Sequence, residues 1–186
     1  MLDKAALRAL LADRRAAAGA TAPDAGAALA ALWPAIAVQG LVVAGYVRFR
    51  TEIDPAPLMQ ALAARGAHLC IPVTPQHPDA GLSFRAHVDP GNLIKSRFSV
   101  REPPATAPLM TPDIVLVPLL GFDRRGGRIG YGQGHYDRTL SALRTRRAII
   151  AIGLAFDAQA VDAIPVEPHD QPLDWVLTPT RAIGCG

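Results

Sequence analysis

One segment limits the possible folds more than any other: Asp113 to Leu140, DIVLVPLLGFDRRGGRIGYGQGHYDRTL. It opens on an apolar run suited to a buried strand, passes through a loop rich in glycine and arginine, and closes on a helix entered by an acid. Gly126, Gly127, Gly130, Gly132 and Gly134 leave the backbone free to take positive φ and to approach a ligand without Cβ interference. Successive amides in such turns form an anion nest, and a helix beginning near Gly134 adds unpaired amides and a positive dipole end. Arg128 and Arg138 flank the loop and offer forked donors to phosphate oxygens. Asp137 would repel a bare phosphate. In a phosphate site it makes sense as a magnesium ligand; in a structural loop it would complement the dipole of its own helix. Spacing alone leaves both readings open, because neither G-x-x-x-x-G-K-[ST] nor G-x-G-x-x-G occurs here.

The rest of the chain reads as alternating strands and helices. Asp3 is placed to cap a helix running to about Ala18, with Leu7, Leu10 and Leu11 at core-facing spacing. Lys4 and Arg8 fall at i and i+4 and share a face, which taken alone reads as a solvated basic face. Asp24 begins a second short helix that stops before Pro34. Leu41–Phe49 reads as a strand, Asp54 caps a helix through about Arg65 with Gly66 as its stop, and His68–Val73 is the next strand. A further strand is expected over Ala80–Val88, a buried one over Ile114–Leu119, and a helix over Tyr136–Arg144. Ala148–Leu154 and Trp175–Leu177 finish the sheet, and the proline-rich stretches Thr74–Asp79 and Pro103–Pro112 read as surface connections. This pattern predicts one α/β domain over residues 1–186: an open, mostly parallel sheet with helices on both faces and a ligand crevice at the strand C-terminal ends.

Composition narrows the function. Half the residues are hydrophobic, so a disordered chain is excluded. A net charge of +3 with no long basic block permits an anionic ligand without pointing to nucleic acid, and the few aromatics are too scattered for a base-stacking platform. Cys70 and Cys185 have neither disulfide-framework nor metal spacing, which fits a reducing compartment. Charges interrupt MLDKAALRALLADRR where a signal peptide needs an apolar stretch, and no run reaches the roughly 18 residues of a membrane span. A cytoplasmic protein acting on small molecules, with no nucleic-acid or membrane partner and monomeric, is the expectation.

The segment LVPLLGFDRRGGRIGYGQGHYDRTL resembles the signature of the 5-formyltetrahydrofolate cyclo-ligase family, also called methenyltetrahydrofolate synthetases. That signature runs from a strand ending in P-x-x-x-F-D to R-[IL]-G-x-G-x-G-[YF]-Y-D. IPVEPHDQPLDWVLT resembles the family's closing segment; Lys4 with Arg8, Glu52-Ile53 and Glu102-Pro103 agree with it in order along the chain. The resemblance implies a fold similar to sugar-phosphate isomerases and CoA transferases. It also implies conversion of 5-formyltetrahydrofolate to 5,10-methenyltetrahydrofolate, with ATP and Mg2+, releasing ADP and phosphate. In that chemistry the γ-phosphoryl group passes to the poorly leaving formyl oxygen, and a neighbouring folate nitrogen then closes the ring and expels phosphate.

The resemblance also assigns residues. Lys4, Ala5, Ala6, Leu7 and Arg8, with Arg128, Ile129, Gly130, Tyr131, Gly132, Gln133, Gly134, His135 and Tyr136, correspond to the ATP-binding segments. Glu52, Tyr131 and His135 correspond to the folate side, and Asp137 and Asp170 to the magnesium ligands. His135 departs from the family's usual tyrosine or phenylalanine; an imidazole still stacks, and it adds a titratable group. Without the resemblance Asp170 reads as a loop carboxylate capping a turn, Glu52 as a helix-entry acid beside Asp54, and Asp123 as either a turn-setter or a ligand-facing acid. Asp174 reads as structural, and His169 beside Asp170 does not suffice for a transition-metal site. Two other classes stay open: an isomerase or transferase of the same fold that uses no nucleotide, and a nucleotide- or folate-binding module without turnover.

Overall fold

The continuous apolar runs form the middle of an eight-stranded sheet. The computed structural model describes residues 3–77, 79–87, 89–96 and 100–186; Val88, the last residue of the expected Ala80–Val88 strand, lies outside them. In chain order the elements are α1 (Lys4–Thr21), a 3-10 helix (Ala25–Leu32), β1 (Val42–Ala44), α2 (Ala56–Ala64), β2 (His68–Val73) and β3 (Ser83–Ala86). Then come β4 (Ile94–Lys95), β5 (Arg101–Glu102), β6 (Leu109–Met110), β7 (Ile114–Pro118), β8 (Gly121–Phe122) and β9 (Arg128–Ile129). The chain finishes with α3 (His135–Arg144), β10 (Ile150–Leu154), β11 (Trp175–Leu177) and β12 (Ala182–Gly184). The sheet order is β12-β11-β10-β7-β1-β2-β3-β6. The five strands from β11 to β2 are mutually parallel, while β12 and β3 run against their neighbours.

Burial on both faces explains the unbroken hydrophobicity of these strands. Val43, Ile114, Leu116, Ile152 and Leu154 face one core with Leu58 and Leu62 of α2 and Leu29 of the 3-10 helix. Their neighbours Ala44, Val115, Val117 and Ala151 face the other, with Leu140 of α3. Leu58 and Leu62 are fully buried, each burial worth about 1.5–3 kcal/mol. A third, smaller cluster seats α1 across the end of the sheet, with Leu7 and Leu11 against Leu120, Ile129 and Ile164. The Asp3 carboxylate caps that helix, accepting from the Ala6 amide at 2.7 Å.

Several boundaries differ from the sequence reading. The strand expected over Leu41–Phe49 covers only Val42–Ala44; Gly45 still donates to Cys70 O at 2.9 Å and packs so close to Met59 that a Cβ would lie 2.2 Å from its sulfur. Asp54 does not cap α2; Pro55 holds the cap position and Asp54 accepts from the Ala56 amide at 3.0 Å. Gly66, at φ 87°, does stop that helix. The proline-rich stretch before Pro112 is not all connection, since it contributes edge strand β6, where proline is tolerated. The sheet does not end at Trp175–Leu177, because β12 adds an antiparallel edge. Cys70 and Cys185 are free thiols, the former buried in β2.

Candidate active site

The strand order reverses between β1 and β7, since β2 lies on one side of β1 and β7 on the other. In a parallel sheet the loops leaving two such strands diverge and open a crevice. A cleft of about 760 Å³ lies there, lined by the segments following β1, β2 and β7, by one face of α1, and by the loop before β11.

The glycine-rich segment divides into two parts with different tasks. Gly126 and Gly127 belong to a hairpin turn between β8 and β9, closed by an Asp123 N to Gly127 O bond of 3.0 Å. Asp123, only 1% exposed, accepts from the Arg125, Gly127 and Ile164 amides at 2.9 Å each. It is a turn-setter and does not line the cleft. Gly130, Gly132 and Gly134 do line it, and Gly132 and Gly134 take the positive φ that this loop requires, 90° and 66°. Arg138, expected to flank a phosphate, instead braces the loop by donating to Gln133 O at 2.6 Å; it lies outside the cleft lining.

Three segments bring charge to the cleft around the glycine loop. Helical spacing turns Lys4 and Arg8 inward together, while Leu7 is buried in the α1 core and Ala5 and Ala6 are exposed, so only the two basic residues of that stretch line the cleft. Arg8 Nε donates to Gly130 O at 3.2 Å. Lys4 Nζ lies 2.9 Å from Asp170 and 3.2 Å from Glu167. Arg128, nearly buried, bonds Asp137 Oδ1 at 2.6 Å and the Gln171 carbonyl. Burial pulls the Arg128 guanidinium below its ordinary range, opposed by Asp137 and, more weakly, Asp170. Burial likewise tends to lower the Lys4 ammonium, but the carboxylates of Asp170 and Glu167 outweigh it and hold it above its usual value. Asp170 moves the opposite way: burial favours its neutral form, yet the Glu167 amide and Lys4 hold it below the ordinary carboxylate range.

Asp137 and Asp170 are suited to a hard cation. The two bonds to Asp137, from Arg128 and the Gln171 amide, end on Oδ1; those to Asp170 from Lys4 and the Glu167 amide end on Oδ2. Each carboxylate is thereby fixed through one oxygen, leaving the second as a potential ligand, and oxygen donors of this kind fit magnesium. Glu167, His169 and Asp170 also place ligand atoms within 4.8 Å of one another, a grouping that does not include Asp137. Asp170 is therefore both the turn-capping carboxylate and a cleft-lining one. Asp174 is tied to Arg144 at 2.8 Å and to the Ala151 amide at 2.7 Å, a structural arrangement.

Glu52 also lines the cleft, 5% exposed, in a turn where its carboxylate accepts from the Phe49 amide at 2.9 Å. Arg50 takes a left-handed φ of 54° inside that turn. Burial raises the Glu52 carboxyl to about 7, against the Phe49 hydrogen bond and the nearby charges of Arg15 and Arg48. Tyr131, 43% exposed, meets the edge of Phe49 at a ring separation of 6.3 Å, and His135 Nδ1 lies 3.2 Å from Ala80 O. Tyr46 and Tyr136, also in the lining, are pushed far above the ordinary phenol range, chiefly by burial.

The family model of the 5-formyltetrahydrofolate cyclo-ligase family matches residues 1–179. The chain belongs to that family. It is 36% identical to a 5-formyltetrahydrofolate cyclo-ligase of Mycolicibacterium smegmatis, covering 97% of this chain and 96% of the relative. The corresponding figures for a cyclo-ligase of Escherichia coli K12 are 33% identity, 77% and 81%. The NMR structure of the Aquifex aeolicus 5,10-methenyltetrahydrofolate synthetase shares the fold at a TM-score of 0.77 and 22% identity, covering 97% of this chain and 92% of that one. A Mycoplasma pneumoniae 5,10-methenyltetrahydrofolate synthetase does so at 0.69 and 23%, covering 95% and 98%. Membership in this ligase family, together with a largely parallel sheet, agrees with the resemblance seen in the central motif. Among the described residues no helix is long and apolar enough to cross a membrane.

The sequence reading missed Arg15, Arg50 and Glu167 as neighbours of this cyclo-ligase cleft. Arg15 had a legible signal: it lies eleven residues, close to three helical turns, after Lys4. Nothing in the residue order announces that Arg50 occupies a left-handed turn.

Proposed function

We propose that this cleft converts 5-formyltetrahydrofolate to 5,10-methenyltetrahydrofolate at the expense of ATP, with magnesium, releasing ADP and phosphate. The observation that carries the reading is one cleft that sets the basic side chains Lys4, Arg8 and Arg128 around the glycine loop and also holds a buried acid, Glu52. Phosphates suit the basic side chains and the N–H donors of a pterin suit the acid. Asp137 and Asp170 would hold magnesium, which when bound offsets the charge of the phosphate oxygens.

The chain's own residues then act by position and charge. Gly130, Gly132 and Gly134 let the phosphates approach the backbone, and Arg128, fixed by Asp137 and Gln171, presents its guanidinium without a search over rotamers. The formyl oxygen takes the γ-phosphoryl group as the bond to ADP breaks; the folate nitrogen then attacks the formyl carbon and phosphate leaves. Glu52 is poised near neutrality, so ring N–H donors arriving at its carboxylate stabilise the ionised form and orient the pterin. Tyr131 and His135 flank the ring from the glycine loop.

Purified protein supplied with 5-formyltetrahydrofolate, ATP and magnesium is expected to generate the methenyl chromophore. Folded protein that binds folate without an absorbance change would instead be a binding module. A Lys4→Ala, Arg8→Ala double variant should raise the KM for ATP by roughly tenfold or more, the scale of losing charge-assisted hydrogen bonds, while the KM for folate stays within about twofold. Stability should change little, since the Lys4 ion pairs are partly exposed. Unchanged ATP dependence would return both residues to a solvated basic face.

A further inference from the structure

Arg15 takes no part in the chemistry above, yet it is among the largest fully buried side chains, 2% exposed. Its Nε donates to Thr51 Oγ1 at 3.1 Å, Nη1 to Leu119 O at 3.2 Å, and Nη2 to the Tyr131 hydroxyl. Its ion pair with Glu52, at 3.9 Å, is too long for a hydrogen bond. The buried charge is thus satisfied chiefly by neutral acceptors from three segments: the turn carrying Glu52, the end of β7, and the glycine loop. Leu119 O is also held by Gln159 Nε2 at 2.9 Å, which anchors the arginine from the β7 side.

We propose that Arg15 is a positioning residue that couples two segments lining the cleft, holding the glycine loop through Tyr131 and the Glu52 turn through Thr51, so that ligand at one segment strengthens binding at the other. The proposal rests on the ring-closure reading, in which nucleotide meets the loop and folate meets Glu52. If either segment moves alone, a buried guanidinium N–H loses its acceptor, and an unsatisfied buried charge is strongly disfavoured. The two segments therefore order together. Helix α1 ties the loop at two successive residues, Arg8 to Gly130 O and Arg15 to the Tyr131 hydroxyl, and it also presents Lys4. Glu52 adds an electrostatic link, because its ionised form is favoured by Arg15 and Arg48. Ligand that ionises Glu52 thereby strengthens the pull on the same guanidinium that fixes Tyr131.

The test is an equilibrium titration of the full chain with a non-hydrolysable ATP analogue and magnesium, with and without saturating 5-formyltetrahydrofolate. In the wild type the dissociation constant should tighten by about fivefold or more when folate is present, and reciprocally. In Arg15→Met this ratio should fall to within about twofold of unity. Arg15→Lys keeps the charge without the planar fork, so loss of coupling there too assigns the effect to fork geometry. Tyr131→Phe removes only a hydroxyl at a half-exposed ring and leaves the core intact; its ratio should fall in the same direction, with no further fall when combined with Arg15→Met. A full wild-type ratio persisting in folded Arg15→Met, or in Tyr131→Phe should the former not fold, overturns the proposal. A wild type that binds both ligands at a ratio near unity overturns the coupling and leaves the ring-closure reading standing. A wild type that fails to bind either ligand overturns that reading, and the coupling with it.

Discussion

Asp137→Asn is expected to lower kcat by roughly 10²- to 10³-fold at saturating substrates, the scale seen when one preorganised electrostatic group is lost from a site. Asparagine keeps an oxygen that accepts from Arg128 and the Gln171 amide, so the two bonds to Oδ1 persist. What disappears is the negative charge, which a hard cation needs and which offsets the nearly buried Arg128. The stability loss should stay within about 1–3 kcal/mol, roughly 2–12 °C in Tm for a chain of this size. Asp137→Ala provides the contrast: it removes the acceptor as well and leaves Arg128 without its carboxylate, which should cost about 3–5 kcal/mol. Steady-state kinetics over a magnesium titration, paired with thermal unfolding, checks this. Asp137→Asn losing stability and turnover in equal measure would make Asp137 a structural counterion of Arg128 and nothing more.

Glu52→Gln should do the reverse, stabilising the fold while impairing folate use. Buried in the protein, the carboxyl binds its proton up to about 7, against an ordinary value of 4.5, so the folded state holds that proton more tightly than the unfolded chain. The contribution of Glu52 to stability is complete below about pH 4.5, declines as the pH rises through 7, and is level above that. Over that window the loss is about 3 kcal/mol, the shift taken at 1.36 kcal/mol per unit. Glutamine has no proton to lose and still accepts from the Phe49 amide. Wild type and variant should therefore unfold at similar temperatures near pH 5 and separate by roughly 5–10 °C at pH 8, with the variant higher. Folate kcat/KM at pH 8 should fall by about 10²-fold, since a charged acceptor is exchanged for a neutral one. Equal Tm differences at both pH values would show that Glu52 carries no perturbed proton in the fold.

The two predictions depend on different kinds of legibility. Asp137 could be singled out in the linear sequence because it is an acid placed where the backbone amides of a glycine-rich turn and arginines converge. The pairing with Arg128 was not visible, since eight residues, most of them in the glycine loop, separate the two, and only the fold brings Arg128 of β9 and Asp137 of the first turn of α3 to 2.6 Å. Glu52 could be named by resemblance, but its raised proton affinity comes from burial among elements distant in sequence. The glycine loop shows the limit most clearly. Its five glycines read as one anion nest, yet the Asp123 carboxylate gathers Gly127 into a hairpin and leaves Gly130, Gly132 and Gly134 to the cleft. An Asx-type bond competes locally with any ligand role for those amides.

Sequence alone settled what local forces settle. Unbroken Val, Ile and Leu runs can be satisfied only by burial on both faces, so a parallel α/β sheet followed from the pattern, and the motif R-I-G-Y-G-Q-G-H-Y-D was narrow enough to indicate a family. Tertiary structure decided which charges meet. Strand reversal between β1 and β7 opens the cleft, the seating of α1 across the sheet end turns Lys4 and Arg8 into it, and the same helix buries Arg15 between Thr51 and Tyr131. Coulombic and desolvation energies depend on separation in space and on burial, and neither quantity is a property of residue order.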